Sequence, residues 1–295
     1  MYNNVYKPLK TAHILTVMRK LKKMKNYIYT FILFQLLTFQ SFSQEIEMNG
    51  IIADSETENP VEFVNIGVLN KNKGTISNLN GKFKLSVSKK FLNDSLTISH
   101  INYYPVKILI ENFNNKTIFL EPKTNELSEV IVSNRKKRNR KIGVKSYNPL
   151  LWLGAISEDL DIIENAQRIN IPDKTVRIKY VNIYLRAGFK SDSSFVRINF
   201  YKNVDNKPDE KIIFENIVQK KKIEPGWLQI DLTKQYIYLE EDFFVGVEFI
   251  PDFKNKLEVY IGAILTKGKG YSRRNSLGKW NKLQGASTIN VEIEY

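Results

Sequence analysis

The sequence predicts an all-β protein, with a small β-sandwich followed by a second, antiparallel β-sandwich or jelly roll. Short runs rich in β-branched and aromatic residues recur along residues 48–120 and again along 175–293, separated by turn-forming Asp, Asn, Gly and Pro clusters. With 42% hydrophobic and 12% aromatic residues, the composition is that of a folded, β-rich chain. A chain of 295 residues has room for about two domains, each with its own core.

The first 43 residues are predicted to be a signal peptide. Residues 19–25 form a basic region, residues 27–39 form an apolar stretch of about a dozen residues, and small residues precede a cleavage site at Gln44. The apolar stretch is shorter than the ~20 residues that a membrane-spanning helix needs. We therefore expect no transmembrane span once the signal is removed.

Export sets the expected location of the mature protein. The basic region is long when counted from Met1, which suggests that translation begins at Met18 or Met24. We expect an exported protein that is periplasmic, outer-membrane-associated or secreted. The chain has no cysteine, so disulfide bonds and thiolate chemistry are excluded and the fold must depend on its hydrophobic cores.

Residues 44–132 are predicted to form the first domain, in which short strands alternate with polar turns. The predicted strands are residues 48–52, 60–69, 83–87, 96–99, 106–110 and 118–120. Asn80-Gly81 predicts a type I′ hairpin turn, because both central positions of that turn need a positive φ. The side chains expected to face the core of this domain are Val61, Phe63, Val64, Ile66, Val68, Phe83, Leu85, Val87, Leu96 and Ile98.

A series of motifs follows the same order along this domain. They are Gly50-x-Ile52-x-Asp54, Asn59-Pro60-Val61-x-x-Val64-Asn65-Ile66, Gly74-Thr75 with Asn80-Gly81-x-Phe83, Leu96-x-Ile98-Ser99, and Leu127-Ser128-Glu129-Val130-Ile131-Val132. As a set they resemble the carboxypeptidase regulatory-like domain, which is found in many secreted and outer-membrane proteins of Bacteroidetes-type bacteria, including TonB-dependent receptors. The resemblance implies a small transthyretin-like β-sandwich.

The formal charge of +14 is concentrated in two short segments. Residues 1–43 and residues 134–145 each contain seven Lys or Arg residues and no acidic residue. Without them, 31 basic residues remain against 31 acidic residues, so nucleic acid is not an expected partner of the folded parts. Residues 133–145 are predicted to be a basic linker; the alternative is an electrostatic contact with acidic polysaccharide, lipid head groups or, least expected for an exported segment, nucleic acid.

Residues 146–295 are predicted to form the second domain, an antiparallel β-sandwich or jelly roll. Residues 157–164 are expected to be a short helix or a loop, and residues 205–209 a turn. The predicted strands are residues 175–187, 195–202, 212–218, 227–232, 236–239, 243–250, 257–264 and 289–293. The motifs Val196-x-Ile198-x-Phe200-Tyr201, Lys207-Pro208, Gly226 to Leu232 and Phe243 to Phe249 resemble the jelly-roll modules of extracellular bacterial proteins.

The residue types needed for catalysis are scarce or poorly placed. A zinc carboxypeptidase needs two His and one Glu on its metal, and the predicted mature chain has only His100, which we expect to be structural at a strand end. A hydrolase that uses loop carboxylates is one alternative function. Its candidate clusters are Glu158, Asp159 and Asp161; Asp205, Asp209 and Glu210; and Glu240, Glu241 and Asp242. Because acidic residues are common in turns, no catalytic residue is assigned.

Two features of the second domain suggest ligands. Asp205 and Asp209 are the candidate ligands of a calcium ion, which binds several oxygens in a loop; no other cofactor is expected. Among the tryptophans, Trp227 is expected in the core, whereas Trp280 lies in a polar, glycine-flanked stretch. The predicted ligand-binding surface therefore consists of Trp280 with Tyr271, Arg273 and Arg274.

The sequence therefore predicts an exported, non-catalytic protein of the cell envelope that binds another envelope protein or a glycan. A carbohydrate-binding module of a polysaccharide-utilisation system is a second hypothesis, and the loop-carboxylate hydrolase is a third. Loss of glycan binding on Trp280→Ala substitution would favour the second hypothesis. Turnover abolished by a single Asp or Glu substitution would favour the third.

Overall fold

The chain divides into two compact units, Met1–Glu45 and Ile46–Tyr295. The computed structural model describes residues 17–31, 45–114, 116–123, 137–155, 162–172, 174–186, 193–213, 215–250, 259–266, 270–274 and 277–295. In the first unit, residues 17–31 form an exposed helix, α1. Among the described helices, none is long and apolar enough to span a bilayer. The expected cleavage site at Gln44 falls outside the described residues, and the signal peptide remains a prediction.

The second unit begins with a small β-sandwich. Its strands are β1 (Glu45–Asp54), β2 (Asn65–Val68), β3 (Lys73–Ile76), β4 (Lys82–Ser88), β5 (Ser95–Ser99), β6 (Val106–Leu109) and β7 (Thr117–Leu120). They form a three-stranded sheet, β4-β1-β7, and a four-stranded sheet, β3-β2-β5-β6. Met48 and Ile52 of one sheet pack with Ile66, Leu96 and others of the second sheet. The predicted N-terminal sandwich is confirmed.

The turn at Asn80-Gly81 differs from the prediction. Strand β3 pairs with β2 and β4 pairs with β1, so the turn carries the chain from one sheet to the other and is not a hairpin. Only Gly81 of the pair has a positive φ, 68°. The Asn78 side chain holds the turn by accepting hydrogen bonds from the backbone N–H groups of Asn80 (2.9 Å) and Lys82 (3.0 Å). Such local side-chain bonds favour turns other than type I′.

The rest of the unit is a larger sandwich. Its strands are β8 (Asn139–Gly143), β9 (Asn148–Gly154), β10 (Ile163–Ile169), β11 (Val176–Leu185), β12 (Ser193–Val204), β13 (Lys207–Lys211), β14 (Ile217–Lys222), β15 (Gly226–Asp231), β16 (Tyr238–Leu239), β17 (Phe243–Ile250), β18 (Tyr260–Ile264), β19 (Gly270–Arg274), β20 (Asn281–Lys282), β21 (Ala286–Ser287) and β22 (Ile289–Glu294).

Two antiparallel sheets face each other in this sandwich. The seven-stranded sheet has the order β13-β12-β17-β10-β19-β20, with β14 also on β12. The eight-stranded sheet has the order β21-β18-β11-β22-β8, with β15 and β16 on β11 and β9 on β18. Alternate residues of each strand point into the shared core, including Val245 and Val247 of β17 and Ile183 and Val291 of the facing sheet. The prediction of a second, antiparallel β domain is confirmed.

Several segments of this domain differ from their predictions. Of residues 212–218, where one strand was expected, only Ile217 and Val218 lie in a described strand, β14. Residues 139–143, expected in the basic linker, form β8, because Ile142 is 7% exposed in the core and the strand pairs with β22. Residues 163–169, of which the first two were expected in a helix or loop, form β10. The turn expected at 205–209 is limited to Asp205 and Asn206, which both have a positive φ, because β13 begins at Lys207.

The small sandwich packs directly against the seven-stranded sheet. Phe63, expected in the core of the first domain, instead contacts Ile250 and Phe195 at this junction. Its φ of 56° is unusual for a non-glycine residue and turns its side chain and its carbonyl toward the second domain. A backbone hydrogen bond of 2.9 Å from Asn70 to the carbonyl of Leu277 adds a second contact.

Candidate functional site

A row of charged side chains crosses the outer face of the seven-stranded sheet. Strand register places Arg197 of β12 opposite Glu248 of β17, Glu248 opposite Glu164 of β10, and Glu164 opposite Arg273 of β19. The order of charges across the four strands is therefore positive, negative, negative, positive. We call these four residues the charged row. Glu164 and Glu248 are both 0% exposed.

Hydrogen bonds satisfy both carboxylates within the protein. Arg197 Nη1 lies 3.1 Å from Glu248 Oε2, and Arg273 Nε donates to Glu164 Oε2 at 2.6 Å. Asn199 Nδ2 donates to one oxygen of each glutamate, at 2.8 Å for Glu164 and 3.2 Å for Glu248. Buried charges are tolerated only when they are paired and hydrogen-bonded in this way.

Gly246 provides the space in which these side chains meet. It lies on β17, two residues before Glu248, on the same face of the sheet. A Cβ atom at this position would lie 2.3 Å from Glu164 Oε1 and 2.8 Å from a ring carbon of Tyr201. The Tyr201 hydroxyl donates to Glu164 Oε1 across this gap, at 2.7 Å. The sheet therefore admits the contact between Tyr201 and Glu164 only because position 246 has no side chain.

The two glutamates titrate differently despite equal burial. Burial raises the pKa of Glu248, and the neighbouring carboxylate of Glu164 raises it further. Burial opposes ionisation of Glu164 as well, but the charges of Arg273 and Lys211 together with the hydrogen bonds from Tyr201 and Asn199 outweigh it, so the pKa of Glu164 is lowered. Burial also lowers the pKa of Lys211 to about 8; its Nζ donates to Asn199 Oδ1 at 2.8 Å.

The first domain closes one end of the charged row. Arg197 Nη1 donates to Asn65 Oδ1 at 3.0 Å, and Nη2 donates to the carbonyl oxygen of Phe63. His100 follows β5 and has its ring 5.3 Å from that of Tyr103. Burial, Arg197 and Lys211 together lower the pKa of His100 to about 3. The histidine is therefore neutral near pH 7 and acts as an uncharged neighbour of the cations.

The predicted ligand-binding residues lie at the opposite end of the row. The Arg273 guanidinium stacks on the Trp280 ring with 4.5 Å between guanidinium carbon and ring centroid, and Tyr201 meets Trp280 edge-on at 5.4 Å. Tyr271 is 3% exposed and packs under them, whereas Arg274 is exposed. Of the predicted surface, Arg273 and Tyr271 thus belong to the packing of the charged row. Ligand binding at Trp280 remains a prediction.

Two of the acidic loop residues, Asp242 and Glu240, have structural roles. Asp242 accepts hydrogen bonds from Arg168 and from the backbone of Ile171, each at 3.0 Å, and Glu240 accepts one from Thr175 at 3.0 Å. Asp205 is in a hairpin turn and Asp209 is exposed on β13. Glu158, Asp159 and Asp161 lie outside the described residues. Within the described ranges no three His, Asp or Glu side chains group as metal ligands; calcium binding stays a prediction.

The outer face of the eight-stranded sheet carries exposed aromatic rings. Trp227, expected in the core, is 45% exposed on β15, because Leu228 and Ile230 occupy the inward positions of that strand. Trp152 of β9 is 42% exposed, and Tyr147 is 47% exposed. Tyr184 of β11 lies between Tyr147 and Trp227 and contacts both rings. We call these four residues the aromatic face.

Ring contacts fix this surface. The Tyr147 ring stacks on Tyr184 with centroids 3.8 Å apart and a 10° interplanar angle. Trp227 meets Tyr184 edge-on at 5.3 Å, and the Arg186 guanidinium carbon lies 3.3 Å from the centroid of the Trp152 ring. Gly262 pairs with Trp152 across β9 and β18, and a Cβ there would lie 2.9 Å from the Tyr184 ring. Aromatic and guanidinium contacts of this kind are each worth about 1 kcal/mol.

The charged row and the aromatic face were both missed at the sequence level, although signals for them existed. Glu248 is the one charged residue in the apolar strand Phe243–Ile250, and a charge inside a fully buried strand indicates a buried partner. The period-two pattern that places Leu228 and Ile230 inward also places Trp227 outward. No local pattern brings Glu164, Glu248, Arg197 and Arg273 together, because strand register sets that contact.

Comparison with known proteins identifies the first domain. Residues 48–132 match the CarboxypepD_reg-like domain family, which confirms the resemblance found in the sequence. A segment of 96 residues is 32% identical to the TonB-dependent receptor SusC of Bacteroides thetaiotaomicron. The match covers 32% of this chain and 9% of the receptor, so the chain spans only a small part of that protein's length.

Solved structures give weaker matches. The cysteine protease and lectin-like domains of Cwp84, a surface layer associated protein of Clostridium difficile, match with a TM-score of 0.39 and 10% identity over 78% of this chain and 58% of that chain. The structure of infectious bursal disease virus Gx strain matches with a TM-score of 0.28 and 9% identity over 85% of this chain and 63% of that one. Scores this low support no functional conclusion.

Proposed function

We propose that this chain, whose residues 48–132 form a CarboxypepD_reg-like domain, is an exported, non-catalytic binding protein of the cell envelope. The observation that carries the proposal is the aromatic face. Three rings that are 42–47% exposed lie together on one sheet. Contiguous exposed apolar surface on a soluble domain is typical of a binding site, since it is unfavourable in water without a partner.

The charged row supports the non-catalytic part of the proposal. Paired buried carboxylates with divergent pKa values are typical of hydrolase active sites. In this protein, however, both Glu164 and Glu248 are 0% exposed, and their oxygens accept hydrogen bonds from Arg197, Arg273 and Asn199. A substrate could reach them only if the small sandwich or Trp280 moved away. The row is better suited to join the two domains.

The location rests on two observations about the N-terminal part of the chain. The basic and apolar segments before residue 44 have the order of a signal peptide. Similarity of the first domain to part of a TonB-dependent receptor also favours the envelope. The partner is then an envelope protein or a glycan that the aromatic face contacts.

The proposal is tested by co-sedimentation of the mature chain with isolated cell-envelope fragments of the producing bacterium. We expect the wild-type protein to sediment with the fragments and Trp227→Ala to sediment several-fold less, because burying one indole face contributes about 1–2 kcal/mol to binding. Tyr104→Ala is the matched control. Tyr104 is 53% exposed on the first domain, and the Lys123 Nζ lies 5.5 Å from its ring centroid.

Two results would contradict the proposal. One is a wild-type protein that does not sediment with the fragments, or that sediments equally well after Trp227→Ala. The other is turnover of a peptide or polysaccharide that disappears in a folded Glu164→Gln variant. The second result would instead assign a hydrolytic role to the charged row.

A further inference from the structure

We infer that the aromatic face binds a neutral pyranose polysaccharide, with Trp227 and Tyr147 against the C–H faces of sugar rings and Gln229 and Glu292 hydrogen-bonded to hydroxyl groups. The inference rests on the proposed function, because it names the ligand class of the same surface. Its site is distinct from Trp280, which directly precedes β20 of the other sheet.

The apolar part of the site is already ordered. Tyr147 and Trp227 both contact Tyr184, one stacked at 3.8 Å and one edge-on at 5.3 Å. Aromatic side chains held in this way lose little conformational freedom when a ligand arrives, so more of the stacking energy remains for binding. The C–H face of a pyranose ring is flat and apolar and fits against such a ring.

A polar row runs beside these rings. In strand register, Tyr184 faces Trp227, and two residues along the same face Asn182 faces Gln229. Two residues along a strand span about 7 Å, close to the size of one sugar unit. Asn182 is 4% exposed and lies between Gln229 and Glu292, accepting from Gln229 Nε2 at 3.0 Å and donating to Glu292 Oε1 at 3.1 Å. The buried amide thus fixes the two polar groups that reach the surface.

The chemistry of the face favours a neutral hydroxylated ligand. Glu292 is paired with Lys141 at 2.9 Å, and Glu294 is paired with Lys137 at 3.0 Å and lies 3.7 Å from Lys179. Glu292 is therefore neutralised by Lys141. Glu294 has three cations around it, since Arg177 lies 3.8 Å away as well, but this group lies toward the other end of β11 from Tyr184. Arg186, which does lie at the rings, is stacked on Trp152, so the polar groups nearest Trp227 are the Gln229 amide and the neutralised Glu292. A sugar chain presents an apolar face and a rim of hydroxyl groups, which matches adjacent aromatic and amide rows.

Affinity gel electrophoresis of the mature chain in gels containing amylopectin, laminarin, galactomannan or polygalacturonate tests the inference. We expect retardation by at least one neutral polysaccharide. Trp227→Ala should weaken it about tenfold and Gln229→Ala about fivefold, corresponding to the loss of one ring contact and one hydrogen bond. Tyr104→Ala should bind like the wild type. Unchanged thermal unfolding of each variant shows that the fold is intact.

The result that overturns the inference differs from the one that overturns the proposed function. The chain could sediment with envelope fragments and lose this on Trp227→Ala, while in the gels either no polysaccharide retards it or polygalacturonate alone does. The aromatic face then binds a protein or an acidic polymer, and the inference is wrong while the proposed function stands.

Periodate treatment of the fragments, which cleaves sugar diols, should abolish sedimentation, whereas protease treatment should not; the reverse result also overturns the inference. Absence of sedimentation contradicts the proposed function itself.

Discussion

At the scale of single residues, the absence of a side chain at position 246 determines whether the charged row can form. We expect Gly246→Ala to lower the free energy of unfolding by about 2 kcal/mol, because the new methyl group would lie 2.3 Å from Glu164 Oε1 and would displace a buried carboxylate. Guanidinium denaturation monitored by tryptophan fluorescence measures this change. Gly154→Ala is the control: no atom lies within 4 Å of its Cβ position, so its stability should change by less than about 0.5 kcal/mol. Equal effects of the two substitutions would show that the close contact at Gly246 is unimportant.

At the scale of secondary-structure elements, β17 organises the seven-stranded sheet. All eight of its residues are buried, and it pairs with β12 along its full length and with β10 along most of it. We expect its amide hydrogens to exchange at rates close to those set by global unfolding, whereas those of β20, two exposed residues at the sheet edge, exchange within seconds. Native-state hydrogen exchange with mass spectrometry measures both. Fast exchange along the whole of β17 would contradict its central position.

The same strands explain how much of the fold the sequence could predict. Strand β17 was predicted with its observed bounds because an apolar run of this length between polar turns indicates a buried strand. Strand β10 was missed because Asn165 and Gln167 occupy one of its faces and Glu164 the other, so its residues do not alternate in polarity. Strand β8 was missed because its only buried side chain is Ile142 among basic residues. Local patterns predict strands with one apolar face, whereas pairing across a sheet decides where charged residues meet.

At the scale of the whole molecule, acid should weaken the junction between the two sandwiches. The pKa of His100 falls from an ordinary 6.5 to about 3 in the folded protein, since burial and the cations Arg197 and Lys211 oppose its protonation. Because the pKa of His100 is lower in the folded than in the unfolded protein, acid favours the unfolded state, which binds the proton more tightly. The resulting contribution to stability is present above pH 6.5 and is lost as the pH falls toward 3. Between pH 7 and pH 5 we expect a loss of about 2 kcal/mol that His100→Gln does not show. Urea denaturation of both proteins at the two pH values measures it; parallel pH dependence would rule out His100 as the cause.

The position of the small sandwich has a consequence for how the protein can be used. One sheet of the larger sandwich contacts the small sandwich, because its Arg197 donates hydrogen bonds to Asn65 and to the carbonyl of Phe63. On the side of the opposite sheet, Trp227 and Tyr147 are exposed to solvent. Two packed sheets about 10 Å apart separate these surfaces, so an occupant of one cannot touch the other. Under the proposed function, a ligand can therefore bind to and leave the aromatic face without disturbing the contact between the two domains.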